Sequence, residues 1–241
     1  MPTRAVLIVY ICELQIMNLS RIFSPILASV QSKALAIAFA FSFLVFASPA
    51  AAHHPMGGKT PSNFFEGFMS GLAHPVIGFD HLAFIIAIGL FAAVKKQGFW
   101  LPLAFVMSAA IGAGLHLMSV SLPLTELVVS ASVLGFGVLL AIKNSPNYLV
   151  VAALAAIAGL FHGHAYGEAI FGAESMALWS YLAGFTIIQL LISGAAFFAG
   201  KKVLNGDFAI APNLRSAGLV ICGIGASLLA SQISALAFPA P

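Results

Sequence analysis

His74-Pro75-Val76-Ile77-Gly78-Phe79-Asp80-His81 sets two imidazoles, one carboxylate, a proline and a glycine inside an apolar run. That run continues as Leu82-Ala83-Phe84-Ile85-Ile86-Ala87-Ile88-Gly89-Leu90. In water such a cluster is ordinary. In a bilayer, Asp at the centre of a spanning helix costs about 2.5–3.5 kcal/mol even on a lenient insertion scale, and each ionisable group needs a partner or a purpose. Whether this segment lies in lipid therefore decides the fold.

Composition places it there. Of 241 residues, 61% are hydrophobic and 7% charged, against roughly 25% charged in a soluble domain. Mean hydropathy is +1.06. Several apolar runs are long enough to cross ~30 Å of hydrocarbon, so membrane lipid is the first partner implied. The net charge of +3 comes from ten Lys and Arg scattered over short loops. There is no basic, aromatic-interleaved patch, which excludes nucleic acid as a partner. The two cysteines, Cys12 and Cys222, are too few for a Cys-based zinc site. No Gly-x-x-x-x-Gly-Lys-Ser/Thr loop is present, so the chain carries no ATPase of its own.

Residues 1–52 have the order of a signal peptide. Arg21 and Lys33 precede the apolar run from Ala34 to Ala47, and Ser48-Pro49-Ala50-Ala51-Ala52 supplies small residues for cleavage after Ala52. Met17 is an alternative start. A retained first helix is the competing expectation. The mature chain then begins His53-His54-Pro55, a nitrogen-rich tail over 53–63 that suits Ni(II) or Cu(II), or else a solvated end.

Six hydrophobic segments follow within 64–241. They run from Phe64 to Val94, Phe99 to Val120, Leu122 to Ile142, Tyr148 to Phe171, Met176 to Ala199 and Leu214 to Phe238. The fold class expected is an all-α polytopic membrane protein. It has six transmembrane helices after a cleaved signal peptide, with the first and fourth kinked by Pro75 and by Gly163 and Gly167. Lys95, Lys96, Lys143, Lys201, Lys202 and Arg215 fall on one side and Lys59 alone on the other. The bias puts the first group in the cytoplasm and both mature termini on the periplasmic side of a bacterial inner membrane.

Ionisable groups concentrate on the first four segments: Glu66, His74, Asp80 and His81, then His116, Glu126, and His162, His164 and Glu168. The candidate metal-binding set is His74, Asp80, His81, His162, His164, Glu168, Glu126, His116, His53 and His54. On a straight helix His74 and His81 lie within about 20° of one face. His162 and His164 are about 200° apart, so they serve one site only if the helix is distorted; otherwise one of them has a different partner. Asp80 is expected as a direct ligand, with orientation of an imidazole as its alternative role. Imidazole with carboxylate, and no thiolate, suits Ni, Co, Zn or Cu(II) over Mg or Cu(I). The last two segments carry only Gln189 and Gln232 in their interiors and read as scaffold. Met107, Met118 and Met176 read as core.

His74-Pro75-x-x-Gly78-x-Asp80-His81, together with Phe161-His162-Gly163-His164-Ala165-Tyr166-Gly167-Glu168, resembles the HupE/UreJ family of nickel, or cobalt, permeases. The likeness covers 53–241, and Glu126 followed by Ser130-x-Ser132 is also family-like. What the resemblance implies is passage of Ni(II), with Co(II) or Zn(II) as alternative cargo, to supply nickel enzymes such as hydrogenase or urease. His74, Asp80 and His81 stand at the motif positions tied to transport. The chain departs from the family at Tyr166, where many members carry His, and at Phe84-Ile85-Ile86, where a Met follows the first motif. The tyrosine removes one candidate ligand and so bears on metal preference. Expected, then, is a secondary transporter or facilitator, no enzyme, and no organic cofactor. The competing classes are an intramembrane zinc hydrolase, which would hold one metal tightly beside a base, and a haem-binding subunit, which the carboxylates beside the imidazoles disfavour.

Overall fold

In the computed structural model, which describes residues 59–142, 147–204 and 212–238, the first helix opens on a side-chain cap. Asn63 Oδ1 accepts the Glu66 amide at 2.9 Å, and the Glu66 carboxylate accepts the Ser62 amide and hydroxyl at 2.8 and 2.9 Å. Glu66 is thus a capping group for otherwise unpaired amides, favoured near a helix N-terminus. The helix is α1 (Phe64–Ile77). After it come α2 (Phe79–Ala93), α3 (Trp100–Leu117), α4 (Thr125–Ala141), α5 (Tyr148–Glu168), α6 (Ser175–Leu204) and α7 (Pro212–Ala237), with no strand among the described residues. The leader, the His53-His54 tail and Lys143 lie outside the described residues.

The first hydrophobic segment is two helices. Pro75 sits inside α1, and the chain breaks three residues later at Gly78, whose backbone is extended (φ −72°, ψ 99°). The axes of α1 and α2 meet at 77°. The expectation of a kink at Pro75 is corrected to a full break at Gly78. Only glycine fits at the break, since a Cβ there would lie 2.7 Å from the His81 ring and 3.0 Å from the Asp80 carboxylate.

The fourth segment, unlike the first, runs without a break as α5 from Tyr148 to Glu168. Its glycines bring it close to α3. A Cβ at Gly163 would fall on the Ala109 carbonyl, and one at Gly159 would lie 2.6 Å from the Phe105 carbonyl. Small residues at such crossings let two backbones approach, which is how membrane helices gain packing without a hydrophobic driving force.

Among the described residues, four helices (α3, α5, α6 and α7) are long and apolar enough to cross a membrane, and the bent α1–α2 pair qualifies as one broken span. α4 is a shorter apolar helix of 17 residues, rising about 26 Å. Large apolar side chains such as Phe65, Trp179 and Phe198 face outward, while Ser70, His74, Asp80, His81 and His162 are buried. That inversion of the soluble pattern is what lipid as solvent demands. Met107, Met118 and Met176 are exposed, which corrects their expected place in the core. Met107 and Met176 stand on the outward sides of α3 and α6, where a thioether costs nothing against lipid, and Met118 follows the end of α3.

α1 packs along α6, α3 along α5, and α4 along α7, while α2 packs against α6 and less extensively against α4, α7 and α3. Exchanging the set α1–α2, α3, α4 with the set α5, α6, α7 maps the three main pairings onto one another, whereas the contacts of α2 with α3 and α4 have no counterpart of similar extent. The apolar centre lies where Phe84 of α2 meets Phe105 of α3 and Phe136 of α4, with ring centroids 5.0 and 4.7 Å apart. Arg215 of α7 donates to the Ala141 carbonyl at the end of α4 at 3.1 Å, a cation on the negative end of a helix.

Candidate functional site

Two groups of ionisable side chains emerge. The inner one comprises His74, Asp80, His81 and His162, all buried. His74 and His81 are no longer on one helix, so the shared-face argument does not apply to them. The break at Gly78 nevertheless folds them together, with ring centroids 5.6 Å apart.

Hydrogen bonds order the protons in this group. Tyr181 of α6 donates its hydroxyl to the Tyr166 carbonyl at 2.9 Å. A carbonyl can only accept, so Tyr181 Oη must accept at its 2.9 Å contact with His74 Nδ1. His74 therefore carries its proton on Nδ1 and presents Nε2 as its acceptor nitrogen. A second chain repeats the logic. Ser132 of α4 donates to the Val129 carbonyl at 2.7 Å. Its oxygen then accepts from His162 Nε2 at 2.9 Å, which makes His162 Nδ1 an acceptor for His81 Nδ1 at 2.8 Å. His81 also presents Nε2, and that nitrogen lies 3.9 Å from Asp80 Oδ1. The same oxygen accepts the His81 amide at 2.8 Å in the first turn of α2.

The tautomers thus follow from two carbonyls remote from the imidazoles. Hydrogen bonds of this kind orient the ring nitrogens that bind metals. His162 spends both nitrogens inside the cluster, and its ring packs on Phe84 at 4.6 Å and Phe105 at 5.7 Å. It holds His81 and is poorly disposed to be a ligand itself.

The outer group lies around a cavity of about 320 Å³ lined by His116, Glu126, His164, Glu168 and, from α7, Gln232 and Leu236. His164 Nε2 contacts the Val120 carbonyl at 2.9 Å and the Leu122 amide at 3.3 Å, both in the α3–α4 connection. Its Nδ1 is 3.4 Å from His116 Nδ1. His162 and His164 consequently have different partners, as an undistorted helix requires. Glu168 is about 9 Å farther along α5 than His162. Among the described residues, no three His, Cys, Asp or Glu side chains stand close enough together to hold a metal ion. The eight candidate residues within the described region are therefore divided between two layers; His53 and His54 are outside it.

Sequence reasoning missed Tyr181, which orients His74, and Gln232, which lines the cavity. Both sit on helices read as scaffold, and that reading is corrected. A tyrosine in the apolar run of α6 was the available signal, since a buried phenol seeks a hydrogen-bond partner. Tyr166 was noted only as a lost ligand. Its ring packs against both His81, at 4.2 Å, and His74, at 5.1 Å.

Comparison with known proteins agrees with the motifs. The chain is 30% identical over 129 residues to Protein HupE of Rhizobium leguminosarum bv. viciae, a match covering 53% of this chain and 66% of that protein. No solved structure matches. The family described as HupE / UreJ protein matches residues 41–228. With that match spanning most of its length, on helices that carry both histidine motifs, the chain is a multi-pass helical membrane protein belonging to the HupE/UreJ family.

Proposed function

We propose that this protein is a secondary transporter or facilitator that carries Ni(II), or Co(II), across the bacterial inner membrane. The observation that carries the reading is the pair of hydrogen-bond chains that turn Nε2 of both His74 and His81 into acceptors beside the buried Asp80 carboxylate. Nitrogen and oxygen donors without thiolate suit such cations. The ion meets the periplasmic His53-His54 tail, then the cavity with His116, Glu126, His164 and Glu168, then the inner cluster. Ligands split over two layers favour passing an ion along over keeping one, because conduction needs sites that bind well enough to admit and weakly enough to release. The cargo goes to nickel enzymes such as hydrogenase or urease.

In this reading α1–α2 is a broken first span, α4 a short third one, and six spans follow a leader cleaved after Ala52. The basic loops face the cytoplasm and both mature termini the periplasm. Three spans per half give the halves opposite orientation, and broken helices in such halves mark transporter binding sites.

The test is uptake of labelled nickel and cobalt by cells expressing the wild type or His74→Ala. Wild-type cells should accumulate label and the variant should fall to background at equal membrane abundance. Equal uptake by both would sink the assignment, and purified protein retaining stoichiometric zinc through dialysis would favour a hydrolase.

Gly78 offers a second test. Its backbone angles are open to any residue, so Gly78→Ala adds a methyl group against His81 and Asp80 without backbone strain. Nickel uptake should drop about 10–100-fold, the usual cost of disturbing the groups that orient metal ligands, with a modest loss of thermal stability in detergent because the buried His81 ring has to shift. A variant with unchanged uptake would show that the His81–Asp80 geometry does not matter.

A further inference from the structure

Glycine contacts give the two halves of the molecule a common register. In one half-interface Gly67 packs on the Ala177 carbonyl, Gly71 on that of Tyr181, and Gly184 on the Phe68 carbonyl and Leu72 amide. In the other, Gly159 packs on the Phe105 carbonyl, Gly163 on that of Ala109, and Gly112 on the Leu160 carbonyl and His164 amide. The two sets correspond position by position, with one constant shift from α1 to α5 and another from α3 to α6. Helices α4 and α7 repeat the pattern on each other: Gly137 meets the Cys222 amide as Gly225 meets that of Leu134. His74 and Tyr166 hold equivalent places, and their rings stand 5.1 Å apart, as positions beside a two-fold axis do. Because α4 and α7 are equivalent yet run in opposite directions, that axis lies across the helices and the halves are inverted. Inverted halves hold a site between them that opens to each membrane face in turn.

The symmetry is broken at one element. Between α5 and α6 lie only residues 169–174, and beside the end of α5 is the outer cavity with His164, Glu168 and Glu126. Between α1 and α3 the chain inserts α2. The places equivalent to His164, Glu168 and Glu126 are Leu72, Val76 and Leu214. Helix α2 fills the space beside Leu214. Its Phe84, Ile85, Ile88 and Phe91 are 0% exposed and share one apolar cluster with Leu214 and Ala155.

The attachment of α2 suits movement. It joins α1 through the single residue Gly78, at 77°. It runs parallel to α6, with Gly89 on the Ser193 carbonyl, so Lys95 and Lys201 mark the end that it closes. Asp80 and His81 form its first turn, so a rotation about Gly78 parts His81 from His162. In a bilayer an apolar helix that leaves its seat trades protein packing for lipid, without a hydrophobic penalty.

We propose that α2 is the inner gate, turning about Gly78 to open the counterpart of the outer cavity at the end marked by Lys95 and Lys201. The assignment rests on the transport reading above. It gives entrance and exit different walls. The entrance offers imidazoles and carboxylates, whereas Leu72, Val76 and Leu214 have nothing to hold a departing cation, and conduction needs release as much as capture.

The test is reaction of introduced thiols in the full-length protein with a membrane-impermeant maleimide, in intact cells and in inverted vesicles. Uptake of labelled nickel is measured in the same cells. Thiols react as thiolates, so a buried one stays silent until water reaches it. Leu214→Cys on α7 and Ala155→Cys on α5 place a thiol in the cluster around α2, on two different helices in case one variant fails to fold. Wild-type protein sets the background from its own cysteines. Ile170→Cys, also 0% exposed but in the second apolar cluster, is the control. The two test thiols should be modified from the face that carries Lys95 and Lys201 and not from the other, with Ile170→Cys silent from that face. Test thiols that stay at background in cells accumulating nickel overturn the gate and leave transport standing, as does modification from the opposite face. Test thiols that react as expected in cells accumulating no nickel leave the gate standing and overturn transport. Absence of both reaction and uptake overturns both.

Discussion

Asp80→Asn should reduce nickel accumulation in cells to background, with the protein still present in the membrane. Asp80 is buried at the start of α2, 3.9 Å from His81 Nε2. Asparagine has the same shape and retains an oxygen to accept the His81 amide. It is also an accepted group at a helix N-terminus. What disappears is the negative charge. At a separation of ~4 Å and an effective dielectric constant of ~20, one pair of unit charges is worth about 4 kcal/mol, and a divalent ion doubles the stake. Even a fraction of that, after desolvation, corresponds to a hundredfold or more in occupancy. Wild-type accumulation by Asp80→Asn would rule out the carboxylate as the counter-charge. Asp80→Glu separates charge from reach: it should recover part of the uptake if the charge alone matters, and none if the 3.9 Å spacing does.

Gly163→Val should be the most damaging change to the fold outside the ionisable residues. A side chain at Gly163 has to displace the Ala109 backbone, since its Cβ would fall on that carbonyl. Overpacking of this kind costs typically 1–3 kcal/mol and sometimes more. The upper end applies here because the obstacle is main chain and cannot rotate aside. Gly163 lies between His162 and His164, so parting α3 from α5 also pulls on the His81–His162 and His116–His164 contacts. We expect a melting temperature in detergent lower by several degrees, or failure to accumulate in the membrane, with uptake lost alongside. Gly135→Val is the control: a Cβ at Gly135 meets nothing within 4 Å, and that variant should behave as wild type. A Gly163→Val protein of native stability would mean that α3 and α5 do not pack through this glycine.

Much of this was legible in the chain itself. The membrane class followed from composition, because 7% charged residues cannot solvate a soluble surface of this size. The approximate ends of the helices followed from Pro, Gly, Asn and Ser at the breaks. Residues such as His74, Asp80 and His81 stood out because a bilayer makes each of them expensive. The Gly78 break was less legible. Pro75 is the stronger helix breaker by propensity, whereas the demand for glycine at 78 comes from the Asp80 and His81 side chains two and three residues on, which leave no room for a Cβ.

What the sequence by itself determined is which residue types enter the membrane and roughly at what depth, since hydropathy and helical rise depend only on order along the chain. Which of them meet was decided by tertiary structure alone. Tyr181 reaches His74 across 107 residues, and Ser132 reaches His162 across 30. The tautomers of His74 and His81 follow from those two meetings, because a carbonyl can only accept a proton. The opening octapeptide thus carried the ligands, and the helices packed around it decided which nitrogen each imidazole presents.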